Sequence, residues 1–286
     1  MRSILFHIGP VPIRAYGLML WIGLVVGLLR TLHAARRTSI KPEHVTDVVL
    51  YSVLAGILSA HIGSILLDLP YYWRNPSEIL GLWSGLFSST GGIRGLSFHA
   101  GLIGAIGVAL IYCRRKRISF LAIADLCSPG LVIGYGITRI GCFLNGCCYG
   151  TPTSLPWAVR FQTDSGSGAL TPPSHPTQLY AVAASVLIYF ALVAVDKRRR
   201  FVGQVFLSYL CLYSVYRFLI EFLRKGVTAD VAFGGLTQAQ VVSILVLAAS
   251  GLALFVMSRR STSQSVVRDK SPIRNPKSEI RNRKGG

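Results

Sequence analysis

Four ionisable side chains stand inside or at the edge of long apolar stretches: His99, Arg139, Arg217 and Glu221. Charges in such places are costly, so they mark candidate functional sites. Arg217 and Glu221 are four positions apart and share one face of a helix. Two guanidinium groups can hold a phosphate through paired hydrogen bonds, and an imidazole can accept or relay a proton near neutral pH. Together these residue types predict a site for a phosphate-bearing ligand.

A structural role is the alternative for each of these residues. His99 would then be an interfacial histidine, Arg139 would extend to lipid headgroups, and Arg217 with Glu221 would be an ion pair between helices. The sequence leaves these alternatives open. The polar residues Tyr16, Asn145 and Tyr213 could orient a ligand or serve in packing and capping, and His61 and Asp125 are weaker candidates for a direct role.

The elements that must position these side chains are seven apolar segments of a length that spans a bilayer core of about 30 Å. They cover residues 16–32, 45–67, 98–113, 118–140, 178–195, 202–223 and 238–257. Hydrophobic residues form 51% of the chain and charged residues only 14%, whereas a soluble domain carries about 25% charged residues. The sequence therefore predicts an all-α, polytopic membrane protein with about seven transmembrane helices.

The basic residues indicate how these segments are oriented. The net charge is +19, and most of the cations lie in clusters after the first, third, fifth and seventh segments. Because cytoplasmic loops are enriched in Lys and Arg, this alternation predicts an outside N-terminus and a cytoplasmic C-terminus. Clusters confined to loops also argue against nucleic acid as a partner. No cleavable signal peptide is expected, since the first segment lacks a small-residue cleavage site.

The predicted domain organisation is simple. Residues 1–257 form a single transmembrane domain with two long outer-face loops, 70–97 and 142–177. Residues 258–286 are polar and basic, and are expected to form a disordered cytoplasmic tail. Both outer loops adjoin the ionisable residues named above, which is where a site is expected.

Five motifs in order resemble those of the prolipoprotein diacylglyceryl transferases. They are Ile8-Gly9-Pro10 with Tyr16-Gly17-Leu18-Met19, the run from Ser97 to Gly104, Arg139-Ile140-Gly141 with Phe143, Asn145, Gly146 and Gly150, His175-Pro176-Thr177-Gln178-Leu179-Tyr180, and Tyr213 with Arg217 to Arg224. The resemblance covers roughly residues 6–257. The chain departs from the family at Thr138, Cys142, Cys147, Ala181 and His61, where the family usually has Gly, Asn, Glu, Glu and Arg.

The resemblance implies transfer of a diacylglyceryl group from phosphatidylglycerol to the lipobox cysteine of a prolipoprotein. It implies His99 as general base or as a group that orients the headgroup, with Arg139 and Arg217 on the phosphate and Glu221 holding Arg217. Further substrate-binding residues would be Tyr16, Asn145, His175, Tyr213 and Arg224. The expected partners are phosphatidylglycerol, prolipoproteins and membrane lipids, and no metal or organic cofactor is required.

The expected location is the bacterial cytoplasmic (inner) membrane, with the active site toward the outer leaflet. Two alternatives to this function stay open. One is a related membrane transferase that uses another acceptor. The other is a lipid-binding or transport protein without catalysis, although the absence of an internal sequence repeat argues against a transporter.

Three of the six cysteines, Cys142, Cys147 and Cys148, cluster after the fourth segment. On the predicted topology they face an oxidising compartment, where a disulfide from Cys142 to Cys147 or Cys148 is feasible. A metal site that includes His175 is a second hypothesis, although the spacing matches no standard zinc pattern. The third is that free thiols fill the space of the family's Asn and Glu.

Overall fold

The computed structural model describes residues 4–8, 11–80, 97–162, 169–224 and 231–270, of which the last ten are described by their backbone alone. The helices of this part of the chain are α1 (Ala15–Ala35), α2 (Pro42–Leu67), α3 (Leu69–Arg74), α4 (Phe98–Lys116), α5 (Phe120–Asn145), α6 (Thr177–Lys197), α7 (Gln204–Glu221) and α8 (Gln238–Lys270). The strands are β1 (Ile4–Ile8), β2 (Val11–Arg14), β3 (Val231–Phe233) and β4 (Leu236–Thr237), and a short 3₁₀ helix covers Pro76–Leu80.

All seven predicted apolar segments are helical. Five of these helices, α1, α2, α5, α6 and α8 up to Arg260, are long and apolar enough to cross a membrane. The protein is thus mainly helical and membrane-spanning, while the count of seven crossings and their direction stay predictions. Two small antiparallel hairpins, β1–β2 and β3–β4, were not expected in an all-α chain.

Two predicted boundaries differ from the structure. Helix α8 ends at Lys270, beyond the predicted segment end at residue 257, and residues 271–286 of the predicted tail lie outside the described part. The predicted outer loop 70–97 contains most of α3 and the 3₁₀ helix, and its residues 81–96 are also outside the described part. Both differences arise where apolar periodicity fades, which is where sequence patterns locate helix ends least well.

Helix α5 is the central helix of the bundle. Half of its apolar stretch is buried, compared with 28% or less in the other four candidate spans. It packs closely on α1, because a Cβ at Gly23 would come within 2.7 Å of the Gly134 carbonyl oxygen. Small residues at such a contact let two membrane helices approach closely. The outer faces of other helices remain apolar, with Leu187 of α6 71% exposed and Leu245 of α8 64% exposed.

Two polar residues inside the predicted segments have structural partners. Asp125 of α5 accepts hydrogen bonds from the backbone N–H groups of Gly203 (2.6 Å) and Phe206 (2.8 Å), at the start of α7. It therefore acts as a cap supplied by another helix. His61 of α2 lies 2.9 Å, Nε2 to carbonyl oxygen, from Ile79 and holds the 3₁₀ helix. These contacts give both side chains structural partners, although His61 Nδ1 is buried without a hydrogen-bond partner among the described residues.

Candidate functional site at the carboxyl end of helix α5

Arg139 lies in the last two turns of α5 and is held by an aromatic side chain. Its guanidinium carbon is 4.8 Å from the ring centroid of Tyr135, one helical turn earlier. Tyr135 in turn packs edge-on against Tyr213 of α7, with ring centroids 5.6 Å apart, and its hydroxyl is 3.3 Å from that of Tyr216. The aromatic contacts fix the position of the arginine and link it to α7. Tyr135 was not among the predicted residues, although its spacing of four from Arg139 is a detectable signal.

The start of α1 packs against the same end of α5. A Cβ at Gly141 would lie 3.2 Å from the Cα of Tyr16, so the backbones of α1 and α5 are in close contact at these two residues. Tyr16 is 41% exposed and interacts electrostatically with Arg139 and with Cys142 and Cys147. The structure therefore brings Tyr16 and Arg139 to one place, as the site prediction requires.

The thiol cluster, defined as Cys142, Cys147 and Cys148, surrounds the turn that ends α5. Gly146 has a φ of 77°, the left-handed conformation in which glycine commonly ends a helix, and the N–H of Cys147 then bonds to the Cys142 carbonyl at 3.1 Å. The three sulfur atoms lie within 4.8 Å of one another. All three are free thiols, so the proposed disulfide is not formed in this structure.

The backbone of the thiol cluster is fixed by the start of α6. Thr177 Oγ1 donates to the Cys148 carbonyl at 2.7 Å, and Gln178 Nε2 donates to the Cys147 carbonyl at 2.6 Å. Gln178 is almost fully buried. These two residues belong to the motif that begins at His175, and the structure assigns them a positioning role that the sequence did not reveal.

Asn145 and His175 both lie beside this turn, but they make different contacts. The Asn145 side chain lies near the Cys147 thiol. The His175 ring is instead paired with the Tyr180 hydroxyl, 3.2 Å from Nδ1, and its backbone pairs with Gly150 and Thr151. Among the described residues, the possible metal ligands are the three thiols without His175. The hypothesis of a metal site that includes His175 is therefore wrong for this conformation.

The carboxyl end of α7 supplies the other charged residues. Arg217 forms an ion pair with Glu221, whose side chain is completely buried. Thr237, at the start of α8, donates to the second carboxylate oxygen at 3.3 Å. Tyr213 interacts electrostatically with both Arg217 and Arg139. The predicted i,i+4 pair is confirmed, and it connects α7 to α8 as well as facing the site.

Arg224 completes the basic end of the site. Its backbone bridges to Gly150, and its charge interacts with Cys148. Its Nε is buried and has no hydrogen-bond partner in the described part of the chain. Hydrogen bonds from Cys142 and Cys147, together with the charges of Arg139 and Arg224, lower the pKa of the Cys148 thiol. The site thus combines excess positive charge with a free donor, which suits an anionic ligand.

His99 is the predicted site residue on helix α4. It is exposed in the first turn of α4, and its ring packs edge-on against Phe98 at 5.8 Å. Helix α4 packs mainly on α2, where the N–H of Ser97 bonds to the Ala60 carbonyl at 2.9 Å. The other predicted residues, Tyr16, Arg139, Asn145, His175, Tyr213, Arg217, Glu221 and Arg224, are gathered around the ends of α1, α5, α6 and α7.

Comparisons with known proteins agree with the motifs. The family model for prolipoprotein diacylglyceryl transferase matches residues 3–257. The chain is 39% identical to the phosphatidylglycerol–prolipoprotein diacylglyceryl transferase of Bordetella parapertussis over 260 residues, 87% of this chain and 93% of that protein. It is 34% identical to the same-named protein of Geobacter sulfurreducens, covering 78% and 82% of the two chains. It is 32% identical to that of Trichormus variabilis, covering 90% of each.

Proposed function

Because the chain belongs to the prolipoprotein diacylglyceryl transferase family, we propose that it transfers the diacylglyceryl group of phosphatidylglycerol to the lipobox cysteine of prolipoproteins. The acceptor sulfur, as a thiolate, forms a thioether bond to the terminal glyceryl carbon of the diacylglycerol. The bond between that carbon and the phosphate oxygen breaks, and glycerol phosphate leaves with the electron pair. The thiol proton passes to a base or to water.

The observation that carries this proposal is the convergence of three arginines on one end of the bundle. Arg139 is anchored on Tyr135, Arg217 is linked to it through Tyr213, and Arg224 offers a buried Nε donor without a partner among the described residues. Guanidinium forks match phosphate oxygens, and donors aimed at a leaving anion lower the barrier most when they are already in position. The buried ion pair with Glu221 holds Arg217 in the required orientation.

The remaining pocket residues would position the two substrates. Tyr16 and Asn145 border the thiol cluster beside Arg139, where the headgroup and the acceptor cysteine would meet. His175, just before α6, and Tyr213 of α7 would contact the substrates from the two sides of this site. The acyl chains can stay in the bilayer, since the outer helix faces are apolar.

The proposed setting is the bacterial inner membrane, crossed seven times with the N-terminus outside and the C-terminus in the cytoplasm. In support of it, the site residues lie at the ends of the helices opposite to the basic clusters at residues 114–117 and 197–200. Cationic ends are retained on the cytoplasmic side, so the site would open to the outer leaflet. Secreted precursors and phospholipid headgroups are both available there.

The decisive experiment uses the full-length protein in phosphatidylglycerol proteoliposomes with a lipobox peptide. With label in the diacylglyceryl part, we expect labelled thioether-linked peptide and an equal amount of released glycerol phosphate. With label in the headgroup glycerol, the peptide should stay unlabelled, and a peptide with serine in place of the acceptor cysteine should accept nothing. Headgroup label on the peptide would identify a different transferase, and no transfer of either label would overturn the proposal.

His99 has a separate role in this proposal, as the general base or as a contact to the headgroup. Its exposure leaves both ring nitrogens available to a substrate that approaches from outside the bundle. Replacing His99 with Gln is expected to lower the transfer rate by about 10²-fold or more, the range typical of a lost acid–base group. The substitution His33→Gln, at the other end of the bundle near Arg37, is the matched control. Transfer at the wild-type rate from His99→Gln would remove His99 from the mechanism.

A further inference from the structure

The thiol cluster is a side-chain group for which the proposed transfer reaction gives no task. Its three sulfur atoms belong to Cys142 and to Cys147 and Cys148, five and six positions later, and all lie within 4.8 Å of one another. Cys142 is buried and the other two are partly buried. Cysteines that only fill space between helices would not need to bring their three sulfur atoms together, because packing alone does not fix where a sulfur atom points.

Two features of the backbone indicate that the convergence is built into the fold. Cys148 has a φ of 65°, a left-handed conformation that is uncommon outside glycine and costs on the order of 1 kcal/mol or more. The buried bonds from Thr177 and Gln178 hold the carbonyl groups of Cys148 and Cys147 in this turn. Strain that is maintained by buried partners commonly marks a functional position.

From this geometry we propose that Cys142, Cys147 and Cys148 bind a zinc ion through three thiolates and leave its fourth coordination position open. Zinc takes tetrahedral thiolate ligands at about 2.3 Å, which places the sulfur atoms about 3.8 Å apart. The present spacing of up to 4.8 Å closes to that value by small side-chain rotations. Three thiolates and Zn²⁺ carry one net negative charge, which the nearby Arg139 and Arg224 offset.

A disulfide accounts for the cluster less well. It would join two of the three thiols and would not explain why the third sulfur atom also lies within 4.8 Å of them. A metal ion uses all three, and the arrangement in which three protein ligands leave one position open is the usual form of a reactive zinc site. The inference concerns metal binding, so it stands or falls independently of the transfer reaction.

The test measures the metal content of the full-length protein, purified without a polyhistidine tag under anaerobic, reducing conditions. After incubation with zinc and dialysis against a weak chelator, we expect close to one zinc ion per chain. Cys142→Ser and Cys148→Ser each remove a ligand, so zinc affinity should fall by more than the roughly 10–100-fold that loss of an outer-shell partner costs. Cys211→Ser is the matched control, because that thiol lies in α7 beside Ser250 and outside the cluster.

A second measurement needs no variant and so remains decisive if a cysteine variant fails to fold. In the wild-type protein, zinc should protect these three thiols from an alkylating reagent, as mapped by peptide mass spectrometry. Cobalt in place of zinc should give the near-ultraviolet absorption of a cobalt–thiolate site. Alkylation that zinc leaves unchanged, or a disulfide within the cluster that persists in the zinc-treated protein, would overturn the proposal.

Discussion

Replacing Arg139 with Ala is expected to lower diacylglyceryl transfer to a lipobox peptide by about 10²–10³-fold, the loss found when one preorganised donor to a developing anion is removed. Its guanidinium lies 4.8 Å from the centre of the Tyr135 ring and close to Tyr16 and the thiol cluster. Arg139→Lys keeps the charge but not the planar fork, so its activity should lie between that of wild type and that of Arg139→Ala. Complementation of a strain depleted of the activity should fail with Ala.

The structure provides a matched control for this substitution. Arg30 of α1 also lies over a tyrosine ring, that of Tyr189, at 5.9 Å, but toward the other end of the bundle. Arg30→Ala therefore removes the same kind of contact away from the site, and its transfer rate should stay near that of wild type. Both variants need the same melting temperature in detergent as wild type, within a few degrees. A wild-type rate in Arg139→Ala would exclude the phosphate-binding role.

The positions of the helices were accessible from the sequence because a bilayer imposes a length on apolar segments. Each predicted segment became a helix, and the segment ends place Arg139, Arg217 and His175 near one another. The ion pair of Arg217 with Glu221 followed from helical spacing alone. These are local rules, and they succeed where the chain is regular.

The contacts that hold the site residues in place could not be predicted from the sequence in the same way. Tyr135 positions Arg139, while Gln178 fixes the Cys147 carbonyl from a different helix. Such contacts depend on how helices pack, which no spacing in the sequence encodes. The short hairpin β3–β4, which ends at Thr237, was also missed because its strands have three and two residues. Runs this short carry too little periodicity to distinguish a strand from a loop.

His99 lies on a different helix pair from the other predicted site residues. The residues proposed to bind the phosphate are on α5, α7 and the segment after α7, whereas His99 is on α4, which packs mainly on α2. The bundle thus has a cluster of arginines near the end of α5 and the exposed ring of His99 on the α2–α4 pair. The proposal therefore requires the substrate to contact residues on both helix pairs.

The second large effect is expected from the buried ion pair, because Glu221→Ala leaves the Arg217 guanidinium without its partner. The Glu221 side chain is 0% exposed, and removing one member of a buried pair typically costs about 3–5 kcal/mol of stability. The variant should melt at a clearly lower temperature in detergent and should lose transfer activity. Asp196→Ala provides the control, since that carboxylate is 43% exposed in its pair with Arg199 and contributes little.

A double substitution separates the structural part of this effect from the chemical part. Arg217→Met with Glu221→Leu removes both charges, and apolar replacement of a buried pair is often neutral or stabilising. The double variant should therefore regain most of the melting temperature lost in Glu221→Ala, while transfer stays abolished, because the phosphate has lost one of its arginines. Recovery of transfer together with stability would mean that Arg217 and Glu221 serve only to hold α7 against α8.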